Sequence, residues 1–149
     1  MMKIKILVVD DEKDFLETIV KRLAKKQLDA KGVTSGEEAL AEIKKKYYDV
    51  VLLDIKMPGG MDGIEALKEI KKERPLAEVI LLTGHGSVES SVEGMRLGAF
   101  DYILKPAKFE DLCDKIAQAY MRKADQDHKI RKANIQQLLR YPGRVFDQD

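Results

Sequence analysis

Apolar residues along the chain follow two periodicities that alternate. Predominantly apolar runs at 4–9, 49–53, 78–82 and 100–104 have the length and branched composition of strands, and the central ones suit strands covered on both faces. A weaker stretch at 29–33 reads as a short strand at or near a sheet edge. Between the runs the spacing becomes helical. Leu16, Ile19, Val20 and Leu23 predict a helix over 13–27 with one buried face, its start served electrostatically by Asp11 or Glu12. Thr34 or Ser35 ahead of Glu37 and Glu38 opens a second helix, running to about 46. A third covers about 62–73 and is closed by Pro75. A fourth is capped by Ser87 and stopped by Gly98 after Leu97. The last begins near Phe109 and carries Leu112, Cys113, Ile116 and Ala119.

Strand then helix, five times over, implies a parallel sheet with helices on both faces. The expected fold is a flavodoxin-like doubly wound (βα)5 with strand order 2-1-3-4-5 and its switch point between strands 1 and 3. Beyond about residue 120 the pattern weakens. Residues 122–132 are polar, Ile135, Leu138 and Leu139 form a short apolar stripe, and Tyr141-Pro142-Gly143 ends it. This predicts a continued or second helix and a loose end. Residues 1–121 are expected to form the domain, and 122–149 a polar helical tail or linker too short for its own core.

Composition narrows the function without naming it. The 27 basic and 26 acidic side chains nearly cancel, so bulk charge points to neither nucleic acid nor membrane. No DNA-binding motif is visible. Cys113 is the only cysteine, which rules out an intrachain disulfide and suits a small buried hydrophobe. The apolar run at 4–9 is far too short for a signal peptide or a membrane span, and a cytoplasmic location is expected.

Chemistry enters at the strand ends. Strand 1 ends in Asp10 and Asp11, strand 3 in Asp54, strand 4 in Thr83 and strand 5 in Lys105. In an open parallel sheet these carboxyl ends lie on one edge, where such folds bind ligands. Each residue has an ordinary reading taken singly: helix caps for Asp10 and Asp11, turn residues for Asp54 and Thr83, a surface lysine for Lys105. Four strand ends carrying such residues together is a far more specific observation. Three neighbouring carboxylates repel and require a counter-ion. Oxygen-only donors favour Mg2+, and with no His or Cys cluster zinc is disfavoured. Lys105 adds a second positive charge, Thr83 a hydroxyl donor for a phosphate oxygen, and Asp54 is free to act as nucleophile, giving an acyl phosphate.

Four motifs carry a family resemblance over about residues 3–120: Val8-Val9-Asp10-Asp11-Glu12, Leu52-Leu53-Asp54-Ile55-Lys56-Met57-Pro58, Leu82-Thr83-Gly84 and Tyr102-Ile103-Leu104-Lys105-Pro106. The chain resembles the receiver domain of two-component response regulators. The resemblance implies that Asp54 accepts a phosphoryl group from a phosphohistidine on a sensor kinase or phosphotransfer protein. It implies direct Mg2+ binding by Asp11, Asp54 and the backbone carbonyl of Lys56, with Asp10 acting through water. Thr83 and Tyr102 match the family's switch pair, and Lys105-Pro106 a peptide bond that is usually cis. A phosphoryl group on Asp54 is then expected to draw Thr83 inward and let Tyr102 rotate from exposed to buried, changing the surface offered to a downstream protein or to a second copy in a homodimer.

The chain departs from the family in Gly59-Gly60, where one glycine is commoner; a longer, more flexible loop is expected there. Lys56 and His85, two residues beyond Asp54 and Thr83, are expected to tune attack by water on the acyl phosphate. On the first helix Phe15, Thr18 and Arg22 share a face beside Asp11, and an exposed Phe15 would anchor a docking phosphodonor helix. Two other readings stand beside a stand-alone receiver. One is a receiver belonging to a longer transcriptional regulator. The other is a Mg2+-dependent phosphohydrolase, disfavoured because such enzymes carry their nucleophile on the first strand with a second acid two residues on, whereas Asp10 and Asp11 are adjacent.

Overall fold

Strands rich in branched apolar residues have two faces to cover, and two layers of helices cover them. The computed structural model describes residues 3–84 and 88–140. In chain order the elements are β1 (Lys5–Val9), α1 (Lys13–Lys25), β2 (Asp29–Val33), α2 (Gly36–Lys45), β3 (Val50–Asp54), α3 (Gly63–Glu73), β4 (Glu78–Thr83), α4 (Val88–Arg96), β5 (Asp101–Leu104) and α5 (Phe109–Arg140). The strands pair in parallel in the order β2-β1-β3-β4-β5. That is the expected doubly wound fold. Strands β3 and β4 are buried at every position, while β2 and β5 alternate as edge strands do.

Alternation along the strands divides the core in two. Ile6, Val8, Val50, Leu52, Ile80 and Leu82 face α1 and α5, through Leu16, Ile19, Leu23, Leu112 and Ile116. Leu7, Val9, Val51, Leu53, Val79 and Leu81 face α2 and α3, through Ala39, Ile43, Ala66, Leu67 and Ile70. Helix starts follow their capping chemistry. Ser35 accepts the Glu38 N–H at 3.1 Å, and Asp62 accepts that of Glu65 at 2.9 Å. Glu12 stands at the α1 N-cap without a side-chain bond, so Asp14 supplies the acid in the first turn. Ser87, expected to cap α4, lies outside the described residues.

A buried acid on α2 makes stability pH-dependent. Glu42 accepts the Tyr48 hydroxyl at 2.7 Å and the Lys31 ammonium at 3.2 Å. The Tyr48 bond above all, with Lys31, outweighs burial and holds the Glu42 carboxyl below its ordinary range. A depressed acid contributes stability that is complete above its unfolded value, 4.5, and is lost as pH falls through the folded one. Tyr48→Phe is expected to cost about 1 kcal/mol at neutral pH. That difference from wild type should shrink once the pH is well below 4.5, as urea denaturation at both pH values will show.

Residues 122–140 continue α5 without a break, which settles the choice between a continued and a second helix. Ion pairs at the amino edge of the sheet hold the continuation. Lys123 follows Leu112, Ile116 and Ala119 on the buried stripe and is itself 5% exposed. Its ammonium lies 3.2 Å from Asp49, which immediately precedes β3, and 2.7 Å from Asp127. Next to it, the Arg122 guanidinium grips both carboxylate oxygens of Glu78, the first residue of β4, with Nη2 at 2.9 Å from Oε1 and Nε on Oε2. Farther along, Ile135 and Leu139 are exposed, so that part of the tail's apolar stripe stands free of the core.

Candidate functional site

Each strand-end residue is turned toward the same point by its own backbone. The Asp10 N–H donates to Val33 O at 3.1 Å, and its Oδ1 accepts the Glu12 N–H at 2.9 Å. The carboxylate is thereby held inward and fully buried. Asp54 closes β3 opposite Leu82 and accepts the Lys56 N–H at 3.2 Å. Gly63, at the start of α3, packs directly behind it: a Cβ there would lie 2.5 Å from both Asp54 O and Ile55 Cα. Only glycine lets α3 approach that closely.

Asp10, Asp11 and Asp54 each bring one carboxylate oxygen within 4.8 Å of the others, with Asp11 exposed and the other two buried. Lys105 closes the cluster. Its ammonium sits 2.6 Å from Asp10 Oδ2 and 3.6 Å from Asp54 Oδ2. Burial raises the Asp54 carboxyl to about 6; Lys105 opposes the rise and the charges of Asp10 and Asp11 add to it. For Lys105 burial works against the charge, but the Asp10 bond and the charges of Asp54 and Asp10 outweigh it and hold the ammonium above its ordinary value. Three acids facing one cation, with oxygen donors only, form a set suited to a hard divalent ion.

The remaining site residues are placed as follows. Thr83 is buried at the end of β4, and its hydroxyl donates to Gly84 O at 3.2 Å. Tyr102 on β5 is 43% exposed. The Lys105-Pro106 bond is cis. Lys56 is exposed beside Asp54, and His85 lies outside the described residues. Gly59 and Gly60 both adopt positive φ, 78° and 87°, which suits glycine. The loop expected to be longer and more flexible is joined to α2 just beyond the two glycines, where Glu37 Oε1 accepts the Met61 N–H at 3.1 Å.

The α1 face needs one correction. Thr18 and Arg22 are exposed, but Phe15 is half-buried and packs against the α1/α5 side of the core. It shares the stripe's edge with Leu16 and Ile19, so its ring lies across the helix toward the site; the Lys105 ammonium stands 4.5 Å from the ring centroid. Arg22 in turn covers the Phe109 ring at 4.1 Å. Below it Arg22 and Lys25 from α1, with Lys26 just past its end, face Phe109, Glu110 and Cys113 from α5 across a cleft of about 520 Å³. Burial raises the Cys113 thiol, so it is a poor nucleophile there. Neither ring contact was readable from spacing along α1, because both partners come from segments some ninety residues distant.

Comparison with known proteins agrees with this geometry. Residues 6–117 match the response regulator receiver domain. The transcriptional regulatory protein ZraR of Salmonella typhimurium is 35% identical over 136 residues, 91% of this chain and 31% of that protein. The putative response regulator NtrX-like of Rickettsia bellii is 35% identical, again over 91% of this chain and 27% of its own length. The chain thus spans between about a quarter and a third of the length of the curated relatives it matches. Among solved structures, a CheY-like receiver domain protein from Methanospirillum hungatei superposes with a TM-score of 0.80 at 32% identity, covering 84% of this chain and 99% of that one. NtrX from Brucella abortus, in complex with ADP, gives 0.81 at 34% identity, covering 85% of this chain and 29% of that one. With three acids and a lysine gathered at the carboxyl edge of a 2-1-3-4-5 sheet, this chain belongs to the response regulator receiver domain family.

Proposed function

We propose that Asp54 is the phosphoryl acceptor of this receiver, taking the group from a phosphohistidine of a sensor kinase or phosphotransfer protein. The observation that carries the reading is the Asp54 carboxylate at the end of a fully buried strand, 3.6 Å from the Lys105 ammonium and within 4.8 Å of oxygens of Asp10 and Asp11. An Asp54 oxygen attacks phosphorus, a P–O bond forms, the P–N bond breaks, and its electron pair returns to the imidazole. Lys105 offsets the charge on the transferred group, and the Thr83 hydroxyl donates to one of its oxygens. Asp10, Asp11, Asp54 and the backbone carbonyl of Lys56 would hold Mg2+, which when bound neutralises the acids and polarises the phosphoryl group.

The response follows from the same residues. Thr83 turns from Gly84 toward the phosphoryl group, Tyr102 moves into the space vacated, and the β5 surface changes for a downstream protein or a second copy. Thr18 and Arg22 belong to the face that docks the phosphodonor. A second reading is favoured by one observation: the relatives are regulators between about three and four times as long as the matched region. In that reading the domain controls output segments of a longer transcriptional regulator. No described helix is long and apolar enough to cross a membrane, and a cytoplasmic site of action fits a phosphohistidine donor.

The test is incubation with a small acyl-phosphate donor followed by intact-protein mass spectrometry. One phosphoryl group per chain is expected with Mg2+ and none with a chelator present. Absence of the group at saturating Mg2+ and donor would overturn the assignment.

A further inference from the structure

We propose that Phe15 is a positioning residue for Lys105, its ring holding the ammonium over Asp10 and Asp54; the proposal rests on the reading of Asp54 as phosphoryl acceptor. An ammonium has three N–H bonds to place. The nearest acceptors are Asp10 Oδ2 at 2.6 Å and Asp54 Oδ2 at 3.6 Å. A third side is taken by the Phe15 ring, 4.5 Å from nitrogen to centroid. The face of an aromatic ring carries negative potential and attracts a cation at that range, more strongly where water is thinned out. The Lys105 side chain is only 21% exposed.

Both partners are anchored independently of the contact. The Lys105 N–H donates to Thr83 O at 2.7 Å, which fixes the main chain but leaves four side-chain torsions to be settled. Phe15 sits in the first turns of α1 beside the buried Leu16, and its body packs against the α1/α5 core. The ring is thus a fixed wall and the lysine the adjustable part. Without the wall the ammonium is free to swing outward, and the charge that Asp54 and the incoming phosphoryl group require is less often in place. The proposal also gives Phe15 a task inside the domain in place of the exposed anchor expected from the sequence.

Substitutions separate the ring from its bulk. Phe15→Leu keeps an apolar body and removes the aromatic face, whereas Phe15→Tyr and Phe15→Trp keep the face. With a small acyl-phosphate donor and Mg2+, where no protein partner docks, Phe15→Leu is expected to be phosphorylated about five-fold more slowly than wild type. Phe15→Tyr and Phe15→Trp are expected to stay within about two-fold of it. A second readout needs neither metal nor phosphorylation. The Lys105 ε-methylene protons, assigned by their loss in Lys105→Arg, should show an upfield ring-current shift in wild type, Phe15→Tyr and Phe15→Trp, and not in Phe15→Leu. The proposal fails if Phe15→Leu keeps both rate and shift, or if the aromatic variants slow as much as the leucine one. It fails equally if Phe15→Leu is slow only with a phosphohistidine protein as donor, which would make Phe15 a docking residue. Should Asp54 not be the acceptor, peptide mapping of the wild type finds no phosphoryl group on Asp54 while the ring-current shift remains, so the two failures are distinguishable.

Discussion

Asp54→Ala is expected to accept no detectable phosphoryl group from a small acyl-phosphate donor under conditions that phosphorylate the wild type fully. The comparison is demanding because two other carboxylates stay in the cluster. Asp10 is buried and already occupied by the Lys105 ammonium at 2.6 Å and the Glu12 N–H at 2.9 Å. Asp11 is exposed on the turn into α1. Asp54 alone ends a fully buried strand with the lysine standing off at 3.6 Å, leaving an oxygen free for attack. Phosphate on Asp10 or Asp11 in the variant, located by peptide mapping, would move the acceptor. Stability supplies an independent check. The Asp54 carboxyl is raised by burial from 3.8 to about 6, so the folded protein holds a proton that the unfolded chain releases. Losing that proton makes the fold less stable as pH rises from about 4 to about 6, with no further change above. Asp54→Asn, measured without divalent metal, should therefore melt higher than wild type at neutral pH and show a flatter profile across that window.

Lys123→Met is expected to destabilise the fold strongly. The methionine preserves the stem's volume but strands Asp49, a buried carboxylate whose other bond is to the Lys5 N–H at 2.8 Å. Breaking a buried pair from one side costs about 3 kcal/mol, and in a domain of this size roughly 10 °C in melting temperature. The double variant Lys123→Met/Asp49→Asn should recover most of that loss, since asparagine still accepts the Lys5 N–H without a charge to bury. A single variant with wild-type stability would mean the ion pair contributes little, and a double variant as weak as the single would assign the loss to packing.

What the sequence made legible was local or repeated. Strand runs, helix stripes and the cap at Ser35 each lie within a few residues, so order, topology and edge strands could be read directly. The convergence of Asp10, Asp11, Asp54, Thr83 and Lys105 was legible because a parallel sheet places every carboxyl end on one edge. Contacts across the sheet were not. Asp49 just before β3 and Glu78 at the start of β4 required partners, but nothing in the local pattern identified them as Lys123 and Arg122. A signal did exist: Lys123 continues the spacing of Ile116 and Ala119 on the buried face, an odd place for a cation without a buried acid to meet it. Phe15 was read by its position on α1 alone, which cannot reveal a lysine arriving from the far end of the chain.

The grip of Arg122 and Lys123 on the sheet gives α5 the mechanics of a beam clamped at one end. From Lys123 to Arg140 the helix extends about 26 Å, so a tilt of roughly 5° at the clamp carries its far end about 2 Å. A chain of the same length in coil would dissipate such a rotation within a few residues. The far end of α5 at Arg140 therefore inherits the orientation of β3 and β4, the two strands that carry Asp54 and Thr83, through two charged side chains at their opposite ends.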